Sequence, residues 1–308
     1  MKEQIIQILN ANAGRIVSGV EISRQTGISR VAVWKHVKKL KEEGYGITAS
    51  SRGYTLKDAD DLILPFCFKN REKNIHFFPS LASTMDTARE IARKGNAHMH
   101  IVIASEQTQG RGRINRKWRS SPGGLWFTII LEPDLPPPLS FKVNFAASLA
   151  LVKTVNHLFN IDASVKWPND ILVQGRKLAG FLSEMETRGD MISFVNIGIG
   201  LNVNNLPHEK EPGAVSIREI IGRQAVRKDI LSSFLDRFES SLPTLHSGSI
   251  IDQWKPCTST IGSRVNIQTM TDTYSGIARD VDETGALILL QDNGEEKRII
   301  YGDCFHQI

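Results

Sequence analysis

Apolar residues in the first fifth of the chain recur at helical spacing, with turn signals between the runs. Ile5, Ile6 and Leu9 share one face of a helix expected over 2–11. Ser18 and Glu21 read as a capping box, each side chain satisfying an orphan N–H, on a helix that runs to about Gln25. Gly27 supplies the turn and Ser29 caps a third helix, where Val33, Val37 and Leu40 form the apolar stripe. Arg30, Lys35, Lys38, Lys39 and Lys41 largely decorate its other faces, and residues 46–56 read as two short strands around a polar tip. Two short helices, a glycine turn, a basic second helix and a hairpin predict a winged helix-turn-helix over 1–63.

The acidic stretch 58–64 and Pro65 mark a boundary, after which strands and helices alternate. Helices are expected near 84–94 and 140–159, and strands at 75–78, 101–105, 125–131, 163–173, 177–186 and 192–203. Turns such as Gln174-Gly175 join neighbouring runs too tightly for helical crossovers. The expected fold is therefore α+β: a central 64–256 domain on a mixed, largely antiparallel sheet rather than a doubly wound one. Runs at 265–267, 274–278, 286–290 and 297–301, separated by Gly, Asp and Asn, predict a small SH3-like β-barrel over 257–308.

Charge changes the picture of the first unit. Residues 1–57 carry ten Lys/Arg and four Asp/Glu, net +6, while the other 251 carry 28 and 29, net −1, recovering the overall +5. Such local excess suits phosphate backbones, although charge alone also fits a solvated basic face. With the helix-turn-helix pattern it points to DNA: Arg30 and Lys35 toward the major groove, Arg52 on the wing toward phosphate or minor groove. A winged helix used for protein contacts is the alternative.

Composition excludes other classes. With 41% hydrophobic and 23% charged residues, the chain is neither disordered nor fibrous, and no apolar run approaches a membrane span. The N-terminal segment lacks a signal peptide's apolar core, and Cys67, Cys257 and Cys304 lie too far apart for a disulfide framework or zinc site. A cytoplasmic protein without membrane partners is expected. No phosphate-loop, HExxH or GxSxG motif is present, and Gly110-Arg111-Gly112 has Asn115 where a dinucleotide fingerprint needs glycine.

Two constellations carry candidate chemistry. In the segment 107–118, Arg111, Arg113, Arg116 and Lys117 alternate with Gly110 and Gly112. Glycine admits close backbone approach and arginine offers planar forks for carboxylate or phosphate, so a mobile loop closing over an anion is expected. Further on come Lys166-Trp167-Pro168-Asn169-Asp170 and Gly175-Arg176-Lys177-Leu178-Ala179-Gly180. Pro168 interrupts a strand pattern, suggesting a bulge or bent edge, and Lys166 and Lys177 on successive strands would enter one cavity. These residues alone indicate an anionic or nucleotide substrate.

Taken in order, these motifs and Asn196-Ile197-Gly198-Ile199-Gly200-Leu201-Asn202 resemble those of the biotin–protein ligases. With the winged helix in front, the whole chain resembles the bifunctional ligases that also repress the biotin operon. The resemblance implies formation of biotinyl-5′-AMP from biotin and ATP with Mg²⁺, then transfer of biotin to a lysine of biotin carboxyl carrier protein. It further implies binding of operator DNA and a homodimer favoured by the adenylate. Carried over residue by residue, Ser83, Thr84, Met85 and Gln107 would meet the ureido ring, with Arg111, Gly112, Arg113, Lys177 and Gly180 completing the biotin site. Arg113, Arg116 and Lys177 would be catalytic. The adenylate would meet these three together with Trp118, Lys166, Asn169 and Asn202, while Asp170 would serve Mg²⁺, directly or through water. The adenine loop would span about 204–219, and Trp167 reads as core. Where the family commonly has Ser-Thr-Asn, this chain has Ser83-Thr84-Met85, and a thioether cannot replace an amide's hydrogen bonds. A biotin-sensing regulator without ligase activity and a lipoate or octanoate ligase remain as rival readings.

Overall fold

The N-terminal unit follows from its caps. Helix α1 (Lys2–Ala11) buries Ile5, Ile6 and Leu9, and α2 (Gly19–Thr26) starts where Ser18 Oγ accepts the Glu21 N–H at 3.1 Å. Among the described residues only that half of the expected capping box forms, and Glu21 Oε1 accepts from Gln25 Nε2 at 3.3 Å. Gly27 closes α2 in the left-handed region (φ 73°), and Ser29 Oγ accepts the Ala32 N–H at the start of α3 (Arg30–Glu42). The wing is β1 (Ile47–Ser50) against β2 (Gly53–Leu56). Gly53 (φ 145°) is required there, since a Cβ would stand 2.2 Å from the Val17 carbonyl oxygen.

The computed structural model describes residues 1–42, 45–57, 61–246 and 249–306, the side chain of Asn115 excepted. Asp58, Ala59 and Asp60, the start of the expected acidic boundary, lie outside the described residues. The segment after them belongs to two cores at once: Leu64 packs into the winged-helix cluster, Ile63 and Phe68 into the central one. Asp61 adds a polar tie, accepting from Arg227 N at 2.6 Å and Nε at 2.7 Å.

The central unit runs β3 (Ile75–Leu81), α4 (Thr84–Ala92), β4 (His100–Gln107), β5 (Leu125–Leu131), α5 (Phe141–Phe159), β6 (Ala163–Lys166), β7 (Asp170–Val173), β8 (Arg176–Arg188) and β9 (Met191–Leu201). Helices α6 (Ile217–Ile221), α7 (Arg227–Ser241) and α8 (Ser249–Trp254) follow. The seven strands are ordered β3-β4-β5-β9-β8-β7-β6, parallel only between β3 and β4. Both faces are covered. Alternate residues such as Ile101, Ile129 and Leu131 enter the core beneath α5, α7 and α8, while Val102 and Ile130 meet α4. This is why β5 is buried at every position.

Two expectations for this sheet need correcting. The run 163–173 is not one strand: Trp167–Pro168 is a cis peptide, and it sits in the turn that separates edge strand β6 from β7. Lys166 and Lys177 are consequently not on successive strands, since β7 lies between β6 and β8. Gln174 and Gly175, both with positive φ, form the two-residue hairpin turn between β7 and β8.

The C-terminal unit has one strand more than its sequence suggested: β10 (Arg264–Gln268), β11 (Thr273–Val281), β12 (Leu287–Gln291), β13 (Glu296–Ile299) and β14 (Asp303–His306). Ladder order is β13-β12-β11-β10-β14, and among the described residues no ladder joins β13 to β14, so hydrogen bonds do not close the expected barrel. Tyr301 lies in the connection, half exposed. Val265, Ile267, Leu287 and Leu289 join the central core, and Trp167, buried as expected, donates Nε1–H to Gly285 O at 3.0 Å.

Candidate functional site

Strand register sets the floor of a cleft. Directly opposed residues share a face, and the ladders align Lys166, Asp170, Gly180, Gly200, Trp126 and Ala104 in one row across the sheet. A β-bulge between β7 and β8 advances the pairing so that Lys177 opposes Leu172. This turns Lys177 onto the same face as Asp170, with Nζ 2.8 Å from Asp170 Oδ1, while the extra residue, Leu178, is fully buried. Lys166 Nζ approaches the other carboxylate oxygen at 3.6 Å from the edge strand. The bulge lies one hairpin beyond Pro168, where the sequence had suggested it.

The cleft above this row encloses about 310 Å³. Ser83, Thr84 and Met85, at the start of α4, line one end together with Gln107. Gln107 Oε1 accepts from Thr84 N at 2.8 Å and Thr84 Oγ1 at 3.0 Å, and Nε2 donates to Ser120 Oγ, so its amide is held from both ends. Met85 is buried against Gly198, where a Cβ would come within 2.7 Å of its sulfur. Trp118 rests on two further glycines: a Cβ at Gly200 would lie 2.4 Å from the indole and one at Gly180 3.0 Å. Lys177 Nζ stands 5.1 Å from the Trp118 ring centroid, and the buried indole N–H has no acceptor among the described residues.

The arginine loop is folded over the opening. Trp118 N–H bonds Gly110 O and Gly112 N–H bonds Arg116 O, with Ile114 in the left-handed region (φ 52°) at the tip. Arg113 donates to Asn169 Oδ1 at 2.9 Å and to Gly302 O at 3.1 Å. Burial lowers the pKa of Arg113, while Asp303 and Asp170 pull it back up. Arg116 pairs with Asp303. Arg111 differs from expectation. Both its terminal nitrogens grip Asp86, at 2.8 and 2.7 Å, so its fork is engaged by protein although the residue lines the cleft. That bond holds the Asp86 carboxyl below its ordinary range.

Three further placements differ from the expected site. Lys166 does not line the cleft and reaches it only through Asp170. Asn202 lines an adjoining cavity of about 700 Å³ that shares Lys177, Trp118 and Gln107 with the first, and its amide oxygen is taken by Asn205 at 2.9 Å. The expected loop 204–219 ends earlier, because Ser216 and Glu219 form a full capping box that starts α6. Within it, Gly213 and Val215 exchange backbone hydrogen bonds with Lys177, pinning the loop beside the lysine. Among the described residues no group of three His, Cys, Asp or Glu could hold a metal, and no helix is long and apolar enough to cross a membrane.

Family models match three consecutive segments: an HTH domain over 2–55, the biotin/lipoate A/B protein ligase family over 77–204, and the biotin protein ligase C-terminal domain over 260–307. The bifunctional ligase/repressor BirA of Bacillus subtilis is 32% identical over 312 aligned positions, covering 96% of both chains. The chain belongs to the bifunctional biotin ligase/repressor family. Its relative from Escherichia coli K12 is 26% identical and spans 91% of this chain. Among solved structures, the biotin protein ligase of Aquifex aeolicus in complex with biotin and ATP superposes with TM-score 0.65 and 26% identity, covering 76% of this chain and 99% of that one.

Several residues that hold the arginines at this family member's cleft escaped the sequence reading. Asp86 and Glu184 anchor Arg111 and Arg89, and Asp303 and Gly302 hold the arginine loop from the C-terminal unit. No local signal marks them, since Arg113 and Gly302 are 189 positions apart. The DNA-binding candidates are all solvent-facing: Arg30 and Lys35 on α3, and Arg52 at the wing tip.

Proposed function

We propose that this protein is an ATP-dependent biotin–protein ligase that also acts as an operator-binding repressor. The observation that carries the reading is the convergence of Arg113, Arg116, Lys177 and Asn169 on one cleft in a member of this family. In the first step a biotin carboxylate oxygen attacks the α-phosphorus of ATP. The bond to the β-bridging oxygen breaks, pyrophosphate leaves, and biotinyl-5′-AMP remains. Two anions must meet, so Lys177, Arg113 and Arg116 would lower their repulsion and stabilise charge on the departing group. Trp118 would offer an aromatic face to the nucleotide, and Ser83 and Thr84 polar atoms to the ureido ring. In the second step the neutral ε-amine of a carrier-protein lysine attacks the acyl carbon, AMP leaves and the amine gives up a proton.

The residues present suit Mg²⁺ brought in with ATP. Two lysines already meet Asp170, so the ion would be held by phosphates and waters, with Asp170 reaching one of those waters. Bound there, it would offset phosphate charge. Closure of the arginine loop would shield the anhydride from hydrolysis. The proposed partners are biotin carboxyl carrier protein in the cytoplasm, operator DNA, and a second copy of the chain once adenylate is bound.

The test is ATP–pyrophosphate exchange with biotin, with octanoate and with neither. Exchange that requires biotin supports the ligase. Exchange with octanoate alone would move the protein to the lipoate side, and biotin binding without exchange would make it a sensor. Sedimentation with and without biotin and ATP tests the dimer.

A further inference from the structure

Two large apolar side chains stand in solvent on α3: Val31 is 63% exposed and Trp34 53%. Val33, Val37 and Leu40 on the same helix are at most 2% exposed, so the helix has a definite inner face. At about 100° per residue, Val31, Lys35 and Lys38 project from the side opposite that trio, and Trp34 from the adjoining flank, about 60° from Val31. The Lys38 ammonium sits 5.8 Å from the Trp34 ring centroid, laying the indole along the helix rather than leaving it free. The result is a short apolar ridge set among Arg30, Lys35 and Lys38.

A basic face with an apolar ridge matches a specific feature of duplex DNA. The cations complement phosphates on either side of the major groove, and the only apolar group presented by its base edges is the thymine 5-methyl. We infer that Val31 and Trp34 are specificity-determining residues that select operator positions carrying thymine methyls. Arg30 and Lys35, the residues expected to face the groove, then flank the ridge. The inference rests on the DNA-binding reading above and goes beyond it by stating which base-pair feature is read.

The experiment uses the full chain with biotin, ATP and Mg²⁺. A random-sequence duplex library is enriched for bound sequences, and the winning duplex is remade with deoxyuridine replacing each thymidine in turn. Loss of a methyl that meets the ridge is expected to weaken binding about fourfold. Val31→Ala and Trp34→Ala should weaken the thymine duplex comparably and lose sensitivity to uracil at one or more of those positions. Trp34→Phe should retain it. Melting temperature and biotin-dependent exchange of each variant confirm folding, and Val31→Ala carries the test if Trp34→Ala is unstable. An enriched duplex indifferent to uracil, or variants that keep the wild-type uracil sensitivity, would overturn the inference while leaving DNA binding intact. Failure to enrich any sequence would remove the DNA-binding reading itself, and this inference with it.

Discussion

Replacing Lys177 by methionine separates charge from packing in the cleft. Methionine keeps an unbranched chain beside Trp118 but removes the ammonium 2.8 Å from Asp170. Deleting one group that stabilises transition-state charge typically costs about 2.7–4 kcal/mol, or about 10²–10³ in rate. The structural cost is smaller. Breaking a fully buried pair costs roughly 3–5 kcal/mol, but the Lys177 side chain is 35% exposed and Lys166 remains 3.6 Å from the same carboxylate, which leaves about 1–2 kcal/mol. In a unit of this size that is about 2–8 °C in melting temperature. Biotin-dependent pyrophosphate exchange should therefore fall about 10²–10³-fold at saturating substrates, with KM for biotin changing by much less. Exchange within tenfold of the parent at an unchanged melting temperature would refute the assignment of Lys177 to the chemistry. A melting temperature lowered by well over 10 °C would instead make the lysine structural.

Three other perturbations have defined outcomes. In Gly200→Ala the new Cβ would fall 2.4 Å from the Trp118 indole, so thermal melting should show a loss of about 1–3 kcal/mol with a shift in tryptophan fluorescence; unchanged spectra would mean the indole is not seated there. Asp86 is held below its ordinary range by Arg111, so its contribution is complete above the unfolded value of about 3.9 and is lost as pH falls through the lower folded value. The melting-temperature gap between the parent and Asp86→Asn should accordingly stay constant from pH 7 to 5 and narrow below about pH 4; a gap that widens on acidification contradicts this. Burial pushes the Cys304 thiol up to about 12, so at pH 8 a thiol reagent should label Cys67 or Cys257 in the native protein well before Cys304, as peptide mapping would read.

Local chemistry accounts for what could be read without coordinates. The Ser29 cap, the Gly27 turn and the Gln174-Gly175 turn act within a few residues, so their consequences are legible in order along the chain. The apolar stripes of α1 and α3 follow from periodicity, and the ligase motifs occur in a recognisable order. Met85 illustrates the limit: its departure from the usual asparagine is visible in sequence, but its seat against Gly198 depends on β9. Other features were settled by pairings between distant segments. Lys177 faces Asp170 because a bulge shifts one ladder, and a half-buried Arg111 is spent on Asp86 because α4 passes beneath the loop. Arg113 and Arg116 are held by β14 and the residue before it, on a strand the sequence did not announce. Propensity and capping are governed by neighbours in the chain, whereas the direction of a charged side chain is governed by whichever counter-charge the fold brings within a few ångströms.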